Sequence, residues 1–180
     1  GFLGDAGGGV YVSSASLAME DCQVANNSSP RSAGGLYFRS TAGTLLVENS
    51  SITNNEATHT ASGIPVDASA NRPQKNDVIS DNSVTTAASG YASVYLISDN
   101  SVVQSNFIHS NASSGLVAIA THRITMEQNR ITGNALCGFL AAHRVTFTMT
   151  NNIITANQDT GLCLSGLEDP WGTPLVIEGS

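Results

Sequence analysis

Ile131-Thr132-Gly133-Asn134 returns further along the chain as Ile154-Thr155-Ala156-Asn157. Working outward from that pair, the same apolar-x-x-Asn unit stands at Ile108 to Asn111, Ile79 to Asn82, Ile52 to Asn55 and Val24 to Asn27. The steps between successive asparagines are wider from Asn27 to Asn111 than from Asn111 to Asn157, where they are equal. A repeat of this kind, with one apolar and one amide position, is what a stacked solenoid requires. Each coil then gives an apolar rung to a shared core and a polar rung to an internal ladder. The predicted ladder is Asn27, Asn55, Asn82, Asn111, Asn134 and Asn157, amide over amide at one corner. Left unpaired inside, each amide would cost about 1–3 kcal/mol.

A glycine series sets the register: Gly9, Gly35, Gly63, Gly90, Gly115, Gly138 and Gly161, each followed by an apolar or aromatic residue. From each glycine to the ladder asparagine of its coil, Gly9 to Asn27 through Gly138 to Asn157, the length is nearly constant. The return from asparagine to glycine is not. It is long from Asn27 to Gly35, Asn55 to Gly63 and Asn82 to Gly90. It is four residues shorter from Asn111 to Gly115, Asn134 to Gly138 and Asn157 to Gly161. The coil body is therefore constant and one corner changes length, as solvent-facing corners can. The long corners, 28–34, 56–62 and 83–89, are expected to form a polar ridge that could be shortened without loss of core.

Within a coil the apolar residues alternate over short stretches. Leu116 and Ala118, Ile124 and Met126, and Ile131 form one such set; Phe139 and Ala141, Phe147 and Met149, and Ile154 form the next. No sustained helical stripe with caps is present. Strands at this spacing cannot form hairpins and must stack on their copies one coil away, so the sheets are parallel. The coil from Gly63 is the exception. Ala68 to Lys75 supplies no second apolar strand, and Pro73 removes a ladder donor. An irregular coil is expected near 65–78.

The chain has 180 residues and is read as one domain, 1–180, of about seven coils. Leu175-Val176-Ile177-Glu178 repeats Leu45-Leu46-Val47-Glu48, so the chain reads as an excerpt of a longer solenoid. Charged residues are 12 % and the net charge is −7, which argues against a nucleic-acid partner. No apolar run reaches membrane-spanning length. Cys22 occupies the slot held elsewhere by Ser50, Asp77, Asn106, Asn129 and Asn152, which should face inward, and reads as a small buried thiol. Cys137 and Cys163 lie one coil apart but three residues out of register. They are disulfide partners only if the corner between them folds back.

These residues resemble the right-handed parallel β-helix repeat proteins. Gly8-Gly9-Val10-Tyr11 and Gly34-Gly35-Leu36-Tyr37 match the Gly-Gly-x-apolar motif of polymorphic outer-membrane adhesins and related extracellular repeats. The six Ile/Val-x-x-Asn units match the accompanying Phe-x-x-Asn motif with the aromatic replaced. The resemblance spans roughly residues 8 to 165. It implies an all-β, right-handed parallel β-helix. It leaves function open, because the same coil carries pectin lyases, glycoside hydrolases and phage tailspikes.

Several outward positions are candidates for chemistry. Four residues before each anchor stand Glu20, Glu48, Lys75, Gln104, Glu127 and Thr150, with Glu178 on the next coil. Glu20 and Glu48 would lie ~4.8 Å apart between coils, close enough to share a cation such as calcium or a proton. The interruptions at Lys75, Gln104 and Thr150 read as a solvated charged face instead. His122-Arg123 and His143-Arg144 are twins, but they lie closer together than Asn111 and Asn134, one coil apart, so they should be staggered by two. They are candidates for an anionic sugar, or plain corner residues. His59 and His109 are assigned nothing. Asn26 and Asn49 are outward members of Asn-x-Ser sequons and the glycosylation candidates in a secreted eukaryotic chain. Two residues after the coil glycines stand Tyr11, Tyr37, Pro65, Ala92, Val117, Leu140 and Cys163. Tyr11, Tyr37, Val117 and Leu140 make this a candidate contact stripe.

Taken together, the residues favour a non-catalytic extracellular or cell-surface scaffold, adhesin-like or part of a filament, with no obligatory cofactor. Its partners would be further coils, neighbouring subunits, glycans or cell-surface proteins. The alternative is a carbohydrate-binding or polysaccharide-cleaving β-helix, with Glu20 and Glu48 or the His/Arg twins at its site.

Overall fold

The anchors Val24, Ile52, Ile79, Ile108, Ile131 and Ile154 are paired rung to rung in one parallel column. They lie in a computed structural model that describes residues 8–30, 33–40, 42–58, 61–68, 72–75, 78–80, 83–84, 92–98, 101–119, 123–142, 145, 147–165 and 176–178. Among these residues every strand pairing is parallel, to the strand one coil before or after, as in a β-solenoid.

The first sheet has seven strands: Val10–Ser13, Leu36–Ser40, Ala61–Ala68, Ala92–Ser98, Ser114–Ile119, Phe139–Ala142 and Leu162–Ser165. The second also has seven: Leu17–Glu20, Leu45–Glu48, Arg72–Lys75, Ser101–Gln104, Ile124–Glu127, Phe147–Thr150 and Val176–Glu178. The third has six, of which Gln23–Ala25 and Ile153–Thr155 are the outermost. The inner faces of the three sheets share one core. Leu36, Phe38, Leu45, Val47, Ile52, Leu116, Ile124, Ile131 and Phe139 are all fully buried there. Phe139 and Phe147 of one coil meet edge to face, with ring centroids 5.2 Å apart.

Two corners turn on a residue with positive φ in each coil whose corners are among the described residues. Asp21, Asn49, Ser105, Gln128 and Asn151 hold φ between 51° and 56° before the second-to-third sheet bend. Asn26, Asn54, Ser110, Gly133 and Ala156 hold 52° to 64° at the end of the third sheet. Asn and Asp tolerate this left-handed conformation, and other side chains strain by roughly 1–2 kcal/mol. In one coil the residues after the two bends are polar and turn inward: Asn129 and Asn134, each 0–1 % exposed.

The structure corrects the register at one coil. Val94, not Tyr91, pairs with both Ile64 and Leu116, and Leu96 pairs with Ala118. Gly90 and Tyr91 lie outside the described residues. The glycine position of this coil belongs to Ser93, since Ala92 pairs with Ser114 and Val94 with Leu116. Counted from Ser93 to Asn111, the coil body is as long as that from Gly9 to Asn27. The mismatch on the other side is taken up by a register shift between Ala92 and Val94.

Ser93 is wholly buried, and its hydroxyl has no hydrogen-bond partner, the only such side-chain atom among the described residues. Ser93→Ala removes the stranded hydroxyl and keeps the Cβ. It should stabilise the fold by about 1 kcal/mol, read as a higher midpoint in urea. A lower midpoint would show that the hydroxyl is satisfied within the fold.

Of the expected irregular coil near 65–78, residues 69–71 and 76–77 lie outside the described residues. Arg72–Lys75 is a strand after all, paired along its whole length with Ser101–Gln104 but only through Gln74 and Lys75 with the strand before it. Parallel neighbours impose the extended backbone where the side chains do not ask for it.

The long corners also differ from expectation. Ser28–Ser29, Glu56–Ala57 and Ser83–Val84 form a fourth, three-stranded parallel sheet. Ala57 is fully buried, Ser29 is 3 % exposed and Ala33 fully buried, so shortening these corners would remove packed residues. Residues 31–32, 59–60 and 85–89 of these corners lie outside the described residues.

Candidate functional site

Two polar ladders run inside the solenoid. In the first, the Asn134 side-chain oxygen accepts from both the backbone N–H (3.2 Å) and the amide (2.8 Å) of Asn111. The Asn134 amide donates to the oxygen of Asn157 at 2.9 Å and to the Ile108 carbonyl at 3.4 Å. Asn27 and Asn55 repeat the arrangement at 3.0 Å, and Asn55 donates to the Val24 carbonyl. Asn55, Asn111 and Asn134 are buried, whereas Asn27 and Asn157 on outer rungs are half-buried. Asn82 lies outside the described residues. The second ladder was legible only as an inward slot. Asn106 N–H donates to Asn129, and both the N–H and the amide of Asn129 donate to Asn152. Ser50 closes its other end by accepting from Cys22 N–H. Cys22 itself is exposed, not buried, because it stands on an outer rung with no described coil packed beyond it. Its thiol donates to the Glu20 carbonyl at 3.1 Å.

The column of the second sheet that starts at Glu20 is continuous in backbone register. Glu20 pairs with Glu48, Glu48 with Lys75, Lys75 with Gln104, Gln104 with Glu127, Glu127 with Thr150 and Thr150 with Glu178. Glu20 and Glu48 are thus neighbours, but Lys75 follows them directly in register. Gln104 donates to the Glu127 carboxylate at 3.3 Å. Arg123 is exposed, with its carbonyl accepting from Ser101 N–H. His122, His143 and Arg144 lie outside the described residues. Ile124 pairs with Phe147, so the strands that follow the twins keep the regular coil step.

The stripe on the first sheet divides in two. Tyr11 and Tyr37 are rung partners whose rings stack at 5.5 Å, and Tyr11 is 51 % exposed. Val117, by contrast, is wholly buried, so the chain itself covers this part of the outer face. Its rung partners are Tyr95 and the half-buried Leu140, and Ala92 is buried three positions before its expected slot, which Tyr95 fills. Asn26 and Asn49 are exposed at their bends.

A further cluster went unread in the sequence. The outer face of the third sheet carries Phe107, Arg130 and Ile153 in one column. Phe107 is 36 % exposed and Ile153 53 %. The Arg130 guanidinium lies 5.5 Å from the Phe107 ring centre, and the His109 ring stacks on Phe107 at 4.1 Å. The position just before each anchor was the available signal. Its occupants Gln23, Ser51, Val78, Phe107, Arg130 and Ile153 are too mixed in type to stand out.

Cys137 and Cys163 form a disulfide with Cα atoms 6.0 Å apart. The corner before Cys137 folds back far enough to cancel the three-residue offset. Among the described residues, no helix is long and apolar enough to cross a membrane.

A family profile described as "Right handed beta helix region" matches residues 63–179, more than half of the chain. No curated protein and no solved structure matches it.

Proposed function

This chain belongs to the right-handed β-helix family, and we propose that within it the chain is a non-catalytic extracellular or cell-surface scaffold, adhesin-like or part of a filament. The observation that carries this reading is the register of the second sheet. Glu20 and Glu48 are the one pair of acids adjacent in its column, and Lys75 and then Gln104 follow them directly, as on a solvated charged face. Adjacent rungs can give the pair the carboxylate spacing of a polysaccharide-cleaving site, about 5–10 Å, and the scaffold reading assigns it no catalysis. The Cys137–Cys163 disulfide supports an oxidising compartment. The exposed Asn26 and Asn49 suit glycan attachment if the host glycosylates.

A second reading, carbohydrate binding, is favoured by Phe107, His109 and Arg130. A flat ring beside a guanidinium suits stacking on an acidic sugar while pairing with its carboxylate.

The test is incubation of the chain with neutral and acidic polysaccharides, with release of reducing ends and unsaturated uronates followed. The scaffold reading expects no cleavage. Cleavage that falls at least a hundredfold in Glu20→Gln or Glu48→Gln would overturn it. In parallel, Tyr37→Ser with Leu140→Ser should leave the β-sheet circular dichroism unchanged and lower the assembly size in sedimentation. An unchanged size would count against the first sheet as the contact face.

A further inference from the structure

We propose that Cys137, Cys163 and Asp159 form, in the dithiol state, a three-ligand site for a soft divalent cation of the zinc class. The two sulfurs and a carboxylate oxygen of Asp159 lie within 4.8 Å of one another. No other group of three or more such ligands occurs among the described residues. Two thiolates and one carboxylate suit Zn²⁺, which takes sulfur at about 2.3 Å and oxygen at about 2.0–2.2 Å and leaves a fourth position for water.

The corner is held by bonds other than the disulfide. Gln158 N–H donates to the Asn134 carbonyl at 2.9 Å, Gly138 N–H to Thr160 at 2.9 Å, and Phe139 N–H to Gly161 at 2.9 Å. The strand Phe139–Ala142 then pairs residue by residue with Leu162–Ser165. Opening the S–S bond therefore leaves the three ligands stacked on one another. On a tetrahedral ion two sulfurs lie about 3.8 Å apart. Side chains whose Cα atoms are 6.0 Å apart span that distance by rotation alone.

Asp159 is the second observation. Its carboxylate lies 3.8 Å from the Cys137 sulfur. A disulfide sulfur has no proton to donate, so the oxidised pair gives that carboxylate no hydrogen bond. A thiol can donate one, and a metal ion can coordinate the carboxylate in its place.

The chemistry balances with a phosphine or dithiol reductant. Two electrons and two protons convert the S–S bond into two S–H groups, and the reductant is oxidised. Zn²⁺ then forms two Zn–S bonds and releases both protons to solvent. Metal and disulfide compete for the same sulfurs, so the bound ion would shield the pair from oxidation. This inference does not rest on the scaffold reading.

The experiment reduces the full chain with a phosphine, removes the reductant without oxygen, and titrates Zn²⁺ against a chromophoric chelator. Co²⁺ serves as the spectroscopic probe. The expected result is one Zn²⁺ per reduced chain, two protons released, and a thiolate-to-cobalt absorption band absent from the disulfide form. Asp159→Asn should weaken binding at least tenfold with circular dichroism unchanged. Cys163→Ser should abolish it, and Cys22→Ser should leave it intact. The proposal is overturned by equal binding to the disulfide form, by binding that survives Cys163→Ser, or by Asp159→Asn binding as tightly as the parent. It is equally overturned by a reduced chain that keeps its β spectrum and binds no metal, or that loses the spectrum.

Discussion

Asn134→Leu should lower the unfolding free energy by roughly 3–6 kcal/mol, because one substitution strands several buried groups at about 1–3 kcal/mol each. The Asn134 oxygen accepts two bonds from Asn111, and its amide serves both Asn157 and the Ile108 carbonyl. Leucine has the same branched four-atom side-chain skeleton but can neither accept nor donate. The Asn111 N–H and amide, already shut away from solvent, would lose this acceptor. The ladder should also transmit the damage, since each amide orients the next. Asn157→Leu gives the internal comparison. That side chain is half-buried, so water can replace part of what is lost, and its cost should be about half as large. Stacked repeats can unfold in parts. Hydrogen exchange at the amides of Asn111 and Asn134 should therefore accompany the denaturant curve. An Asn134→Leu protein within about 1 kcal/mol of the parent, with both amides still protected, would show that the ladder is not a source of stability.

How far the sequence could be read follows from which positions are constrained. The Ile-x-x-Asn units were legible because the anchor and the amide are fixed by every neighbouring coil at once. A change of type at Ile131 or Asn134 would be felt on both adjacent rungs. The glycine series was less secure. Gly90 looked like a member, but the column needs a small residue and Ser93 supplies it, three residues later. The fourth sheet was missed because two-residue strands such as Ser28–Ser29 and Glu56–Ala57 have no periodicity to detect. They exist because parallel copies lie alongside. The Cys137–Cys163 bond depended on how a corner folds back, which strand spacing alone does not give. The outward faces were the least legible. Phe107, Arg130 and His109 meet only because rungs of the third sheet are aligned, and Val117 is apolar and outward yet covered. Residues that face solvent need match nothing on the next coil, so periodicity carries no information about them.

The glycine column gives the other large effect. Gly115→Ala should destabilise by about 3 kcal/mol, at the upper end of the usual cost of overpacking. A Cβ there would lie 2.8 Å from the Asn134 amide nitrogen, 2.8 Å from the Ile131 Cγ2 and 2.8 Å from the Gly138 carbonyl oxygen. None of the three can give way cheaply. Ile131 is a fully buried anchor, Asn134 is a ladder rung, and Gly138 is the glycine of the next coil. The same contacts recur at Gly9 with Val24 and Asn27, at Gly35 with Ile52 and Asn55, and at Gly138 with Ile154 and Asn157. The two sequence series are thus one device. Each glycine clears the space into which the anchor and amide at the far end of its own coil are seated. Left-handed backbone is not the reason, since Gly133 alone among the described glycines has positive φ. Gly161→Ala separates space from mere presence of a methyl group. Its nearest neighbours would be Ile154 atoms at 3.5 and 3.6 Å, ordinary contact. There the alanine should be neutral or stabilise by about 0.5–1 kcal/mol, the usual gain over glycine in a strand. Equal effects at Gly115 and Gly161 in urea unfolding would mean that the anchor and amide can shift to admit the methyl group, and the coupling of the two series would not hold.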